Sequence, residues 1–143
     1  MNHLIFIVLL LVTSVGAWPQ SPPELVSPSP MQEMDNGCMD RSNGIEWDFE
    51  WRPVDGASKY QIWVKSDGAP IAAINGKTVK GTIYQHSAPK TYIGGRMPVD
   101  WSWRVRARVG SKWTEWSAEQ KFTIEPLNRD CPVPIVGGRN LFE

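Results

Sequence analysis

Histidine is nearly missing from this chain. There are two in 143 residues, and one of them, His3, stands inside the apolar leader. With His86 alone remaining, no histidine-based zinc site or Ser-His-Asp triad can be assembled. Ser117 has no base to activate it. An excess of one charge sign is also missing. Fifteen basic and fifteen acidic side chains cancel, which removes the general attraction that nucleic-acid binding needs. There is no N-x-S/T acceptor, so N-glycosylation is not expected. The opening apolar run of roughly 9 to 12 residues is too short to span a bilayer, which takes about 20, and no later segment is apolar for that long. No window repeats with a convincing helical period. Catalysis and cofactor binding are therefore not expected.

The one apolar run opens the chain. MNHLIFIVLLLVTSVGA is apolar from Leu4 to Val12 and ends in small residues, with Val15 and Ala17 suiting the positions before a signal-peptidase cut. Residues 1–17 are expected to be a signal peptide cleaved after Ala17, giving a secreted chain. Two cysteines, Cys38 and Cys131, form an even pair in an oxidising compartment. One disulfide would close a loop of ~90 residues and stabilise the fold by about 4–5 kcal/mol in the chain-entropy model. Two buried free thiols are the alternative at this point.

Residues 18–30, WPQSPPELVSPSP, hold five prolines and predict an extended lead-in or an edge strand. GIEWDFEWRPV (44–54) then alternates strictly. Ile45, Trp47, Phe49 and Trp51 face one way, and Glu46, Asp48, Glu50 and Arg52 the other. The carboxylates are expected to form a solvated face, because three of them on a flat strand cannot wrap a cation. SKYQIWVKS (58–66) points Tyr60, Ile62 and Val64 inward, which turns the large Trp63 outward. PIAAI (70–74) and TIYQH (82–86) read as short strands around an NGK turn at 75–77. KTYIGGRMP (90–98) reads as a strand and a crossing turn. DWSWRVRARV (100–109) places Trp101, Trp103, Val105, Ala107 and Val109 inside, with Ser102, Arg104, Arg106 and Arg108 outside. EQKFTIE (119–125) closes the set with Phe122 and Ile124 inside. Six to seven short strands with frequent turns predict an all-β sandwich.

These residues carry a resemblance. IEWDFEWRPVDGASKYQIWV, WSWRVRARVG and WSAEQKFTIEP together resemble a fibronectin type III domain, an immunoglobulin-like β-sandwich of about seven strands, over residues 22–126. Trp51 matches the family's core tryptophan on its second strand. Pro53, Gly56, Ala57 and Tyr60 match the turn and strand that follow. Trp101, Trp103, Val105 and Ala107 match the penultimate strand. Trp101 replaces the family's usual corner tyrosine, so that corner must be held in another way. The family topology also implies that Cys38, after the first strand, and Cys131, past the last, lie at the same pole. Residues 127–143 are then a tail following the domain.

WTEWS (113–117) resembles the WSxWS box of class I cytokine receptors, with Thr114 for the first serine. In that family the box tryptophans stack between arginines of a neighbouring R-x-R strand. The resemblance implies a ladder of Trp113 and Trp116 with Arg104, Arg106 and Arg108. Strand geometry agrees, since alternate residues project about 7 Å apart and an indole fits between two guanidinium planes at that spacing. Arg and Trp are also the types enriched at binding hot spots, and Trp63 extends the patch. The Trp113-x-x-Trp116 spacing resembles the acceptor for C-mannosylation of Trp113. The expected function is a secreted single-domain module for extracellular protein–protein binding, without catalysis. A soluble cytokine-receptor-like decoy and a carbohydrate-associated module that uses Trp63 as a sugar platform are the alternatives. The expected partner is an extracellular protein, with a glycan as the second class.

Overall fold

The computed structural model describes residues 20–41, 43–69, 72–94 and 100–127. The leader with its cut after Ala17, Cys131 and the tail beyond Leu127 lie outside the described residues. Among the described residues nine strands follow one another: β1 (Leu25–Ser27), β2 (Glu33–Met34), β3 (Ile45–Trp51), β4 (Ala57–Ser66), β5 (Ile74–Val79), β6 (Ile83–Ala88), β7 (Trp101–Val109), β8 (Lys112–Trp113) and β9 (Gln120–Ile124). They form a three-stranded sheet ordered β1-β3-β6 and a larger sheet ordered β2-β9-β7-β4-β5, with β8 added to β7. This is the expected all-β, fibronectin type III-like sandwich. Among the described residues no helix is long and apolar enough to cross a membrane.

Alternation in the sequence fixes which faces meet. β3 buries Ile45, Trp47, Phe49 and Trp51 and exposes Glu46, Asp48 and Glu50. β4 buries Tyr60, Ile62 and Val64, and β7 buries Trp101, Trp103, Val105 and Ala107. The sheets close through aromatic edges: Trp47 meets Trp101 at 5.2 Å and Phe122 at 5.6 Å, and Phe49 meets Trp103 at 5.2 Å. Such tilted and edge-on pairs add about 0.5–1.5 kcal/mol each beyond the area they bury.

The proline-rich lead-in serves both sheets. β1 pairs antiparallel with β3, and β2 pairs parallel with β9. Between them Pro28 is fully buried, following a cis Ser27–Pro28 bond. A proline cannot donate to a ladder, so the strand breaks there and changes sheets.

Five local expectations are corrected. Asn75-Gly76-Lys77 is not a turn but part of β5. Ile62 pairs with Lys77 and Val64 with Ile74, so β5 carries one extra residue there, and Gly76 takes φ 65°. A glycine in the left-handed region is what one kind of β-bulge requires. Ala72 and Ala73 are not in a strand, and residues 70 and 71 lie outside the described ones. Lys90–Ile93 forms no strand either. Ser102, expected outside, is buried; it is flanked in register by Lys65 and Lys121, whose four-carbon stems are long enough to cover it. Val109 is half-buried rather than inside.

Trp101 cannot pin the corner, because its indole nitrogen is buried with no partner among the described residues. Asn36 does so instead. Its carboxamide donates to the carbonyls of Ile93 (3.2 Å) and Glu125 (3.1 Å) and accepts from the Ile93 N–H (2.7 Å). The segment after β6 is thereby tied to the end of β9.

His86 lies across from Trp47, with the rings 5.5 Å apart. Burial pushes its pKa below the ordinary 6.5, and the Glu46 carboxylate offsets part of that. The folded chain therefore holds His86 neutral, while the unfolded chain takes up the proton first as pH falls. Stability should be flat above the ordinary value, decline as pH falls through it, and level off below the folded value. Urea midpoints measured between about pH 7.5 and 5.5 should fall more for the native chain than for His86→Gln; equal slopes would refute the assignment.

Candidate functional site

The outer face of the larger sheet carries the candidate site. Inward packing of Trp103, Val105 and Ala107 leaves Arg104, Arg106 and Arg108 on the other side of β7. Across the ladder, Trp63 stands opposite Arg104, Gln61 opposite Arg106 and Lys59 opposite Arg108. The chain then turns through Gly110, whose φ of 57° suits a two-residue hairpin, and β8 brings Trp113 opposite Arg108.

After Trp113 the period changes. In a flat strand residues 113, 115 and 117 would share a side, yet here positions three apart coincide, the period of a polyproline II backbone. Trp113 and Trp116 both return to the arginine face, while Thr114 and Ser117 both face the free edge of β7. There each uses its backbone and its hydroxyl. The Thr114 N–H donates to the Ala107 carbonyl (2.8 Å), and the Ala107 N–H donates to the Thr114 hydroxyl (3.0 Å). The Ser117 N–H donates to the Val105 carbonyl (2.8 Å), and the Val105 N–H donates to the Ser117 hydroxyl (3.1 Å). Two side-chain oxygens thus replace the carbonyls that an ordinary neighbouring strand would offer. Ordinary pairing resumes only beyond, where β9 meets Trp101–Trp103.

The result is a continuous stack. Arg104 lies 4.5 Å from the Trp63 ring centre and 5.0 Å from Trp116. Arg106 lies 4.6 Å from Trp116 and 4.9 Å from Trp113. Arg108 follows at 5.5 Å from Trp113, and the Lys59 ammonium reaches the same ring at 6.0 Å. All six residues expected in the patch are brought together. Each guanidinium–indole contact stabilises by roughly 0.5–1 kcal/mol when exposed and about 2 when dry.

The guanidinium edges have their own partners. Gln61 Oε1 accepts from Arg106 Nε (3.0 Å) and Nη2 (2.7 Å), and Glu119 pairs with Arg104 Nη1 at 3.3 Å. Arg104 Nε is buried with no hydrogen-bond partner among the described residues, because indoles stand where water would. The arginines, Trp63, Trp113 and Trp116 are all half-buried rather than free. Among the described residues no group of metal-ligating side chains is present.

Thr114, Ser117 and Gln61 went unnoticed in the sequence as site residues. The three-residue spacing shared by the Trp pair and the hydroxyl pair was the available signal. Cys38 is buried and is not a free thiol; Cys131, its expected partner, lies outside the described residues.

No protein-family model matches the chain, and no curated protein matches it. Among solved structures it is similar to an Fn3-like protein from Clostridium thermocellum, at 17% identity over 78% of this chain and 100% of that one, with a TM-score of 0.45. It is also similar to FN3tt, at 13% identity over 73% of this chain and 97% of that one, with a TM-score of 0.43.

Arg106 is the centre of the stack. Arg106→Ala removes two ring contacts and both bonds to Gln61, and should lower the unfolding free energy by about 2–3 kcal/mol in urea titrations. Arg106→Lys should recover less than half of that loss, since an ammonium has no plane to stack. Ser117→Ala, which orphans the buried Val105 N–H, should cost about 1–3 kcal/mol. Wild-type stability in Arg106→Ala would show that the stack adds nothing to the fold.

Proposed function

We propose that the chain is a secreted, single-domain binding module that acts through extracellular protein–protein contacts, with the arginine–tryptophan stack as its recognition surface. One observation carries the reading: three arginines and three tryptophans are held in a fixed order on the outer face of a sheet. Long cationic side chains normally lose roughly 0.5–1.5 kcal/mol each in ordering when they bind. Here stacking has ordered them beforehand. Secretion rests on the leader sequence, and a non-catalytic role rests on the shortage of acid–base groups.

The interleaving also supports the resemblance of WTEWS to the WSxWS box, and with it the second reading, a soluble receptor-like decoy that holds a helical ligand with loops at one pole. The carbohydrate reading is less well supported. Trp113 and Trp116 are each already contacted by two guanidiniums, which leaves Trp63 as the platform. Within the binding-module reading we also assign Trp113 as a C-mannosylation acceptor, and we pair Cys38 with Cys131.

Affinity capture from extracellular fluid tests the module. The native chain should retain a specific protein, and a Trp63→Ala/Arg108→Ala variant, altered at both ends of the stack, should retain at least tenfold less while remaining folded. Equal retention would move the contact off this face, to the pole loops. Intact mass of secreted material should show one added hexose and the loss of two hydrogens; an unmodified Trp113 removes the acceptor assignment, and free thiols remove the disulfide.

A further inference from the structure

The two outer faces of the sandwich carry opposite charge in matching rows. On the three-stranded sheet the exposed positions are Val26 on β1, Glu46, Asp48 and Glu50 on β3, and Ile83, Gln85 and Ser87 on β6. None is Lys or Arg. Ile83 stands opposite Glu50, Gln85 opposite Asp48 and Ser87 opposite Glu46. Of the three carboxylates, only Glu46 has a side-chain partner among the described residues, accepting from the Ser87 hydroxyl at 2.6 Å. Val26 and Ile83, 39% and 55% exposed, make two of the four large exposed apolar side chains among the described residues, and they flank β3 at the Glu50 end. On the larger sheet the outward positions of β4 and β7 include Lys59, Lys65, Arg104, Arg106 and Arg108 and no carboxylate. Both rows are three alternate residues of one strand, so both repeat at about 7 Å.

We infer that the acidic face of one copy docks on the arginine–tryptophan face of a second copy. Asp48 and Glu50 would lie along the guanidinium row, with Val26 and Ile83 against the indoles. The patches differ, so the contact is head-to-tail and does not close on itself. It would generate short reversible chains of modules rather than a symmetric dimer. Strands of three, seven and six residues, spaced about 4.8 Å apart, cover roughly 250 Å², or about 500 Å² counted on both copies. That is below the ~1,200 Å² of a standard interface, so the contact belongs to the weak, transient class, with a Kd of about 0.1–1 mM. This goes beyond the binding role proposed above and does not rest on it, since the purified chain alone is enough to test it.

Sedimentation equilibrium of the purified chain up to about 1 mM decides the matter. At about 10 mM ionic strength, where screening extends ~30 Å, the weight-average mass should rise with concentration. At about 1 M, where screening acts within ~3 Å, it should return to the monomer value. Asp48→Lys/Glu50→Lys should abolish the rise. Asp48→Asn/Glu50→Gln, which keeps both side-chain shapes, should weaken it at least fivefold, so misfolding of the charge-reversed chain cannot settle the outcome. The inference is overturned by a monomer at every concentration in low salt, or by association that either salt or the neutral variant leaves unchanged. Heparin binding by a chain that stays monomeric would assign the basic face to a sulfated glycan instead. Loss of self-association with extracellular capture intact would leave the module reading standing.

Discussion

The site depends on the two-sided commitment of β7. Its inward residues Trp103, Val105 and Ala107 are fully buried, and moving the register by one would put three guanidiniums into an apolar core. That price is far larger than any gain outside, so the arginines are held outward by what lies beneath them. A row of side chains anchored in this way can be interleaved with aromatic rings without further ordering. The stack is thus a consequence of the core and not a separate surface feature.

The second requirement is that indoles arrive at the right spacing. A regular last strand beside β7 would project side chains in step with the arginines and could not place rings between them. The chain avoids this by leaving strand geometry from Thr114 to Ser117 and letting two hydroxyls take over the edge of β7. Buried N–H groups at Val105 and Ala107 stay paired while the backbone is free to adopt a period of three. The cost of an irregular segment is offset by the hydrogen bonds it preserves.

Much of this was legible in the sequence, for identifiable reasons. Strict alternation in 44–51 and 100–107 reads directly as faces, because a side-chain period of two leaves no freedom once one face is apolar. Trp63 and the arginines followed from the same rule. The misreadings have local causes. Asn75-Gly76 has the composition of a hairpin turn, and whether it makes a turn or a bulge is decided by the register of β4 against β5, which no short window contains. Ser102 is buried between its register neighbours Lys65 and Lys121 on two other strands. Asn36 bonds to backbone groups at positions 93 and 125, and long-range closure of that kind leaves no periodic trace in the sequence. Ser117 was weighed only as a nucleophile, whereas its hydroxyl serves as an acceptor for backbone.

The parallel pairing of β2 with β9 has a mechanical meaning. Met31, Thr123 and Glu125 donate to Lys121, Gln32 and Met34 across this seam at 2.8–3.0 Å, close to where the chain enters and leaves the sandwich. Because the two segments run in the same direction, tension applied between those ends slides one past the other. The bonds then share the load together instead of opening in succession. Placed between two tethered neighbours, the domain would resist extension through this seam together with the β1–β3 ladder that precedes it, with the buried Pro28 and Asn36 standing at the two ends of the seam.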